Sequence, residues 1–409
     1  SDAGFDNWTE LFAVKVMPHI SGDRPTMAAW VPDHSNVSDP VFTIKRNPYY
    51  IGVDPAGNQL PYIDEVRFTF FADKEALNLA GVSGEFDFQA RHINMSNYPV
   101  LVESADQGGY RIVTWPTFGG SDAVLMFNQT YQNNPAIGDL LRNKDFRVAL
   151  SYALDRETIK ELAFLGLGEA RQGVPAPFHP YYPGDEWAYK YTEHNPDLAN
   201  EMLDKILPNK DADGFRTLPD GSPLDIEINV VPAFGNWPDV GQLAVEQWAK
   251  VGVKAHVEVR ERALAFQMRD TNDLMVEIWN EDTTGFPFSG QPKMDPRSTV
   301  ALTFGPLFRK WYETNGAEGM EPPAEIKKLV EIIDEAKISG RARQIELAQE
   351  LFRVWADNIW EIGTVGLTPM IQGVVIVNKD LRNVPEVAGN DWPLRTPGDT
   401  RPEQYFFKR

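Results

Sequence analysis

With 409 residues, 42% of them hydrophobic, the chain has material for roughly two to three domains, each with a real core. A net charge of -20 argues against nucleic acid and anionic membrane surfaces as partners, and zero cysteines exclude disulfides, thiolate metal sites and cysteine nucleophiles. No run approaches the roughly 18 apolar residues of a membrane span, and the opening SDAGFDNW lacks signal-peptide character, so an export signal would have been removed ahead of this numbering.

Residues 1–40 read as loop and short helix. From Phe42 the pattern sharpens. Val66, Phe68 and Phe70 alternate with polar residues as a half-buried strand, Asp54 to Asn58 is turn chemistry, and a helix through Leu77 and Ala80 precedes a second strand in GEFDF. This predicts a β-α-β unit. Next, two apolar runs flank Gly119 and Gly120, a pair that permits close backbone approach beside Trp115 and Phe118.

The stretch Asn143 to Pro180 organises the chain. Phe146, Ala149, Leu150, Ala153 and Leu154 recur with helical spacing, Asp155 is placed to cap a second helix over Ile159, Leu162 and Ala163, and Gly166 and Gly168 close it. Pro175, Pro177 and Pro180, around Phe178 and His179, impose an extended crossing segment. Beyond it, Asn195-Pro196 starts a helix, LDIEINV is a strand, Val240 to Trp248 a helix, Val253 to Val259 a strand and LMVEIWN another, an α/β rhythm. Residues 281–323 read as a surface excursion, followed by helices over Ile326 to Ile338 and Ala342 to Ile359. MIQGVVIVN then returns the chain to the first lobe.

Enzyme signatures are missing: no G-x-S-x-G, H-E-x-x-H or Walker loop is present, Gly166-Leu-Gly168 lacks a third glycine, and the six histidines have no ligand spacing. Asn209, Asp211, Asp213, Gly214 and Asp220 fall at the positions of a calcium loop, but Arg216 lies among them and a strand follows, which favours an Asx-rich turn over a metal site. The eleven tryptophans are the positive signal, because a sugar ring or peptide side chain needs flat apolar faces with polar edges. Trp248, Trp355 and Trp360 belong to helix faces and read as core. Trp115, Trp237, Trp279 and Trp311 lie outside such stripes, and Asn280, Glu281 and Asp282 follow Trp279.

Asp145, Arg147, Ala149, Leu150, Ala153, Leu154, Asp155, Arg156 and Ile159, then Ala170, Pro175 and Pro177, form a pattern that resembles the extracellular solute-binding proteins of family 5, which serve ABC importers for oligopeptides, nickel and some oligosaccharides. Arg46, Asn47, Pro48, Tyr50, Asp64, Gly84, Glu85 and Asp87 match a second segment of that family, and Asn195, Pro196, Ala199, Met202 and Leu203 a third. The resemblance implies an α/β, type II periplasmic-binding-protein-like fold, with a ligand cleft between lobe I (1–125 plus 368–409) and lobe II (126–367). Only some 45 residues precede the first matching segment, so the chain is expected to be a fragment or to carry an incomplete lobe I. It further implies a peptide or sugar ligand, an ABC permease as partner, no cofactor, no metal, and a periplasmic or extracellular location with a possible lipid anchor before processing. Trp115, Phe118, Asn128, Phe178, Trp237, Trp279, Asn280 and Glu281 are the expected ligand residues, with an acid after Trp279 as a peptide-amine anchor. Two rival readings are a glycan-active enzyme, which would need two placed carboxylates, and a pure interaction module.

Overall fold

The computed structural model describes residues 4–5, 7–16, 25–33, 40–281, 284–288, 293–299 and 303–408. Helix α1 (Trp8–Lys15) is capped by the Asn7 side chain and buries none of its residues. Strands β1 (Trp30–Pro32), β2 (Val41–Arg46) and β3 (Glu65–Thr69) make an antiparallel sheet in that order. The Asp54 turn between β2 and β3 closes on itself. Its carboxylate accepts from the N–H groups of Ala56 and Asn58 and from the Tyr62 hydroxyl, and such bonds, that of the Asn58 side chain first, pull it down to about 2.

The chain continues through α2 (Lys74–Val82), β4 (Phe88–Gln89), α3 (Tyr98–Gly108) and β5 (Tyr110–Thr114). The expected β-α-β unit does not form. β3 pairs antiparallel with β2, whereas β4 and β5 flank β13 (Val374–Asn378), both antiparallel. The strand that completes this sheet comes from near the C-terminus, a long-range pairing that local alternation cannot announce.

After β6 (Val124–Phe127) and α4 (Pro135–Arg142), the organising stretch forms α5 (Lys144–Tyr152) and α6 (Arg156–Ala163), parted at Asp155, which accepts from the Thr158 N–H at 3.1 Å. Gly166 stops α6 with φ +71° and an N–H donated to Lys160 O at 3.0 Å. Two arginines here point inward. Arg147 donates to the carbonyls of Leu141, Asn358 and Ile359 at 2.6, 2.8 and 2.8 Å. Arg156 donates to those of Gly363, Ser151 and Thr192 at 2.9, 3.0 and 3.1 Å. Together they fasten α5 and α6 to residues 358–363. Burial depresses both guanidinium groups to about 9.

Then follow β7 (Glu169–Ala170), α7 (Asp185–Ala188), α8 (Pro196–Ile206), β8 (Ile226–Val230), α9 (Trp237–Lys250), β9 (Ala255–Val259), α10 (Arg262–Asp270) and β10 (Val276–Trp279). β8 runs parallel to β9 and β10, and β6 closes onto β10 antiparallel, in a five-stranded sheet ordered β11-β6-β10-β8-β9, in which β11 is Glu361–Gly363. Here the α/β rhythm holds.

Residues 281–323 correct the surface reading where they are described. Helix α11 (Pro306–Glu313) lies among them and carries Trp311, and Met294, Phe304 and Phe308 are buried. Phe304 packs against Trp355 and Trp360 at centroid distances of 4.9 and 5.3 Å. Apolar burial outweighed the Gly and Pro content that argues for a solvated loop. Helices α12 (Ala324–Lys337) and α13 (Arg341–Asn358), then β11 (Glu361–Gly363), β12 (Val365–Gly366), β13, β14 (Leu381–Arg382) and β15 (Phe406–Phe407) complete the chain. One large apolar core surrounds the five-stranded sheet, and two smaller ones flank the β4-β13-β5 sheet.

Candidate ligand cleft

The irregular segment 115–123 between β5 and β6 is the crossing point. Its Trp115 N–H donates to Gly373 O at 2.8 Å and its Asp122 N–H to Val365 O at 2.8 Å, while Phe118 O accepts from Ala176 N–H at 2.9 Å and Ser121 O from Glu281 N–H at 3.1 Å. A Cβ on Gly119 would stand 1.7 Å from Glu281 O, and one on Gly120 1.8 Å from Val174 O. No side chain fits between these backbones, which is why both positions hold glycine. Asp122 anchors the crossing: Oδ2 accepts from the Thr368 N–H at 2.9 Å and hydroxyl at 2.7 Å, and its carbonyl accepts from the Trp237 indole at 2.9 Å. Burial raises its carboxyl to about 6 against the pull of those bonds.

Beside the crossing lies a buried polar group. Lys293 sits 3.9 Å from Glu281 Oε1 and donates to Asn280 O, and Glu361 lies against Gly173 with Glu281. Burial first, then the charge of Glu281, pushes the Glu361 carboxyl well above the ordinary range.

A cavity of ≈ 380 Å³ opens at the carboxyl ends of β8 and β9, lined by Lys74, His92, Val231, Pro232, Ala233, Val259, Arg260, Glu261 and Arg262. Lys74 stands at the start of α2 and reaches across to donate to Pro232 O and Ala233 O at 2.9 and 2.7 Å. The wall behind is aromatic. The Arg262 guanidinium lies 4.7 Å from the Phe234 ring and 5.8 Å from that of Trp279, and Trp279 packs on Trp237 at 5.2 Å and Phe234 at 5.9 Å. Ligands of open α/β sheets bind at such strand ends, and the volume lies within the range of small-molecule sites.

A second aromatic patch gathers Phe118 with Phe178, His179 and Phe286 at 5.8, 5.5 and 6.3 Å, and Phe178 is 65% exposed. Thus Trp237 and Trp279 pack behind the cavity, Asn280 and Glu281 are buried beside the crossing, and Phe118 and Phe178 form another patch. Trp115 and Asn128 lie elsewhere. Trp115 is fully buried with its N–H on Pro385 O at 3.1 Å, and the buried Asn128 carboxamide donates to Leu274 O at 2.8 Å while accepting from the Thr130 N–H at 2.9 Å. Trp237 is also fully buried. Asp282 falls outside the described residues. Lys74, His92, Phe234 and Arg262 were not singled out from sequence, and the usable signal was the pair of basic residues directly after β9.

The Asn209–Asp220 loop is a pair of Asx turns. Asp211 Oδ1 accepts from the N–H groups of Asp213 and Phe215, and Asp220 Oδ1 from that of Ser222. Arg216 is buried, donating to Leu207 O at 2.8 Å and Val251 O at 3.0 Å.

Residues 27–298 match the model for the bacterial extracellular solute-binding proteins, family 5, middle region. The chain belongs to that family. A periplasmic alpha-galactoside-binding protein of Rhizobium meliloti (strain 1021) is 28% identical over 391 residues, covering 88% of this chain and 52% of that protein. Among solved structures, oligopeptide-binding protein OppA superposes with TM-score 0.71 at 31% identity over 100% of this chain and 66% of its own. MelB from Agrobacterium fabrum C58, in complex with stachyose, gives TM-score 0.74 at 21% identity over 99% and 60%. This family 5 chain therefore has the type II periplasmic-binding-protein fold, and it spans about half the length of the alpha-galactoside-binding relative. No helix among the described residues is long and apolar enough to cross a membrane.

Proposed function

We propose that this chain is the solute-binding component of an ABC importer and takes an oligopeptide or oligosaccharide in the cleft. The observation that carries the reading is the cavity of ≈ 380 Å³ at the ends of β8 and β9, bridged from the first lobe by Lys74. Family membership and the names of the R. meliloti protein and OppA support the ligand class. A ligand touching α2 on one side and the strand ends on the other gains contacts only when the lobes are together, so binding shifts the population toward closure. A permease partner then reads the closed surface outside the cytoplasm, with a lipid anchor as the tether. Binding without turnover is part of the proposal, as are the lobes. Lobe I takes 1–125 and 368–409 and lobe II 126–367.

A thermal-shift screen with melibiose, raffinose and di- to octapeptides tests this, since a ligand that binds the folded state alone raises Tm. A saturable shift with one class supports the reading and names the substrate. Release of reducing ends from an oligosaccharide, or no saturable shift with a well-folded chain, refutes it.

A further inference from the structure

We infer that the cavity between α2 and the ends of β8 and β9 is an anion subsite, built for a carboxylate group of the ligand. The inference deepens the binding reading above and rests on it. The chain as a whole is strongly acidic, at a net charge of -20, yet the cavity lining holds Lys74, Arg260 and Arg262 against the single acid Glu261. Each charge has a distinct status. Arg260 is neutralised by a bidentate pair with Glu227 at 2.7 and 2.9 Å. One oxygen of Glu261 is spent on capping α10, accepting from the Ala263 N–H at 2.7 Å. Arg262 has no carboxylate within salt-bridge reach among the described residues, and its planar group rests on the Phe234 ring. Lys74 donates two of its three protons to Pro232 O and Ala233 O, so one remains for a ligand.

Two cations thus face one cavity from opposite lobes, tempered through space by Glu75 and Glu261 but with no carboxylate in salt-bridge contact among the described residues. The electrostatic consequence registers on its neighbours. His92, held in the cavity wall with φ +63°, has its imidazole depressed by burial first and then by the charges of Lys74, Arg91 and Arg262. Lys74 itself is lowered by burial and next by Arg262. A negative group entering the cavity offsets the part of each effect that comes from the neighbouring cations. Val231, Pro232, Ala233 and Val259 in the lining offer an apolar face to the rest of the ligand, backed by the Phe234 ring beside Arg262. A guanidinium held beside a ring and without a salt bridge keeps edge donors for a bidentate carboxylate. Two ligand sources share this chemistry, a peptide C-terminus and a uronic-acid sugar.

The test uses matched probes on the folded chain: tri-alanine against its C-terminal amide, and trigalacturonate against galactotriose, by calorimetry. Glutarate, a minimal dicarboxylate, is added while the His92 ring signals are titrated by NMR. One acidic probe is expected to bind at least about tenfold tighter than its neutral partner, a gap that Lys74→Gln or Arg262→Gln removes and Arg262→Lys partly restores. Whichever pair shows the gap identifies the source. Equal binding within both pairs overturns the anion subsite while leaving the solute-binding reading intact. If neither pair binds, glutarate decides. An upward shift of the His92 pKa that is lost in Arg262→Gln upholds the subsite apart from that reading, and an unmoved His92 overturns it. Both residues are on the cavity surface, and circular dichroism of each variant confirms that it is folded.

Discussion

Replacing Asp122 with asparagine isolates the cost of a buried charge at the crossing. The Asp122 carboxyl is raised from 3.8 to about 6 because burial outweighs the bonds from Thr368 and Thr117. The folded state therefore holds its proton more tightly than the unfolded chain. The stability associated with that proton is fully present below pH 3.8, falls as pH rises through the window up to about 6, and is gone above it. A gap of this size at ~1.4 kcal/mol per pH unit amounts to about 3 kcal/mol. The asparagine side chain carries no charge, and its amide oxygen can still accept from Thr368. The difference in unfolding free energy between Asp122→Asn and the parent chain should thus change by about 2.4 kcal/mol in favour of the variant between pH 4 and pH 7. Urea unfolding followed by tryptophan emission, at half-unit pH steps, measures that difference directly. Other titrating groups cancel in the comparison. If the two pH profiles run parallel, Asp122 keeps an ordinary pKa in the folded chain and the reasoning is refuted.

Arg147→Met strips a charged donor from the carbonyls of Leu141, Asn358 and Ile359. Recovered desolvation offsets part of this loss, and a net destabilisation of about 3 kcal/mol is expected in the urea midpoint. Gly120→Ala would place a Cβ 1.8 Å from Val174 O. Because backbone must move, it should cost about 3 kcal/mol or more, read as a fall in Tm, and an unchanged Tm would show the crossing to be loosely packed. Phe178→Ala removes a ring that is 65% exposed, so stability should stay within about 0.5 kcal/mol of the parent. Any loss of affinity for a ligand found in the thermal screen then assigns the Phe118 patch to binding, and unaltered affinity removes it from the cleft.

The parts legible in sequence were those whose causes are local. Asp155 and the glycines after α6 set helix ends through hydrogen bonds to adjacent residues, and the 3.6-residue stripe of α5 told which face is buried. The strands β8, β9 and β10 were readable because each carries its own apolar run. The β-α-β error near residues 65–89 arose because strand partners are chosen across the chain, and β4 waits for β13. The site divided along the same line. Trp279 could be named from its place at the end of a strand, yet an aromatic residue looks the same in sequence whether it lines a cleft or, as Trp115 and Trp237, is wholly enclosed. Residue type and periodicity determined the helices, the α/β class and the crossing glycines. Tertiary structure alone decided which backbones those glycines admit, which indoles keep an open face, and that Lys74 and Arg262, 188 positions apart in sequence, share one cavity. The physical reason is that caps and stripes depend on neighbours a few residues away, whereas burial and electrostatic convergence depend on segments brought together only by folding.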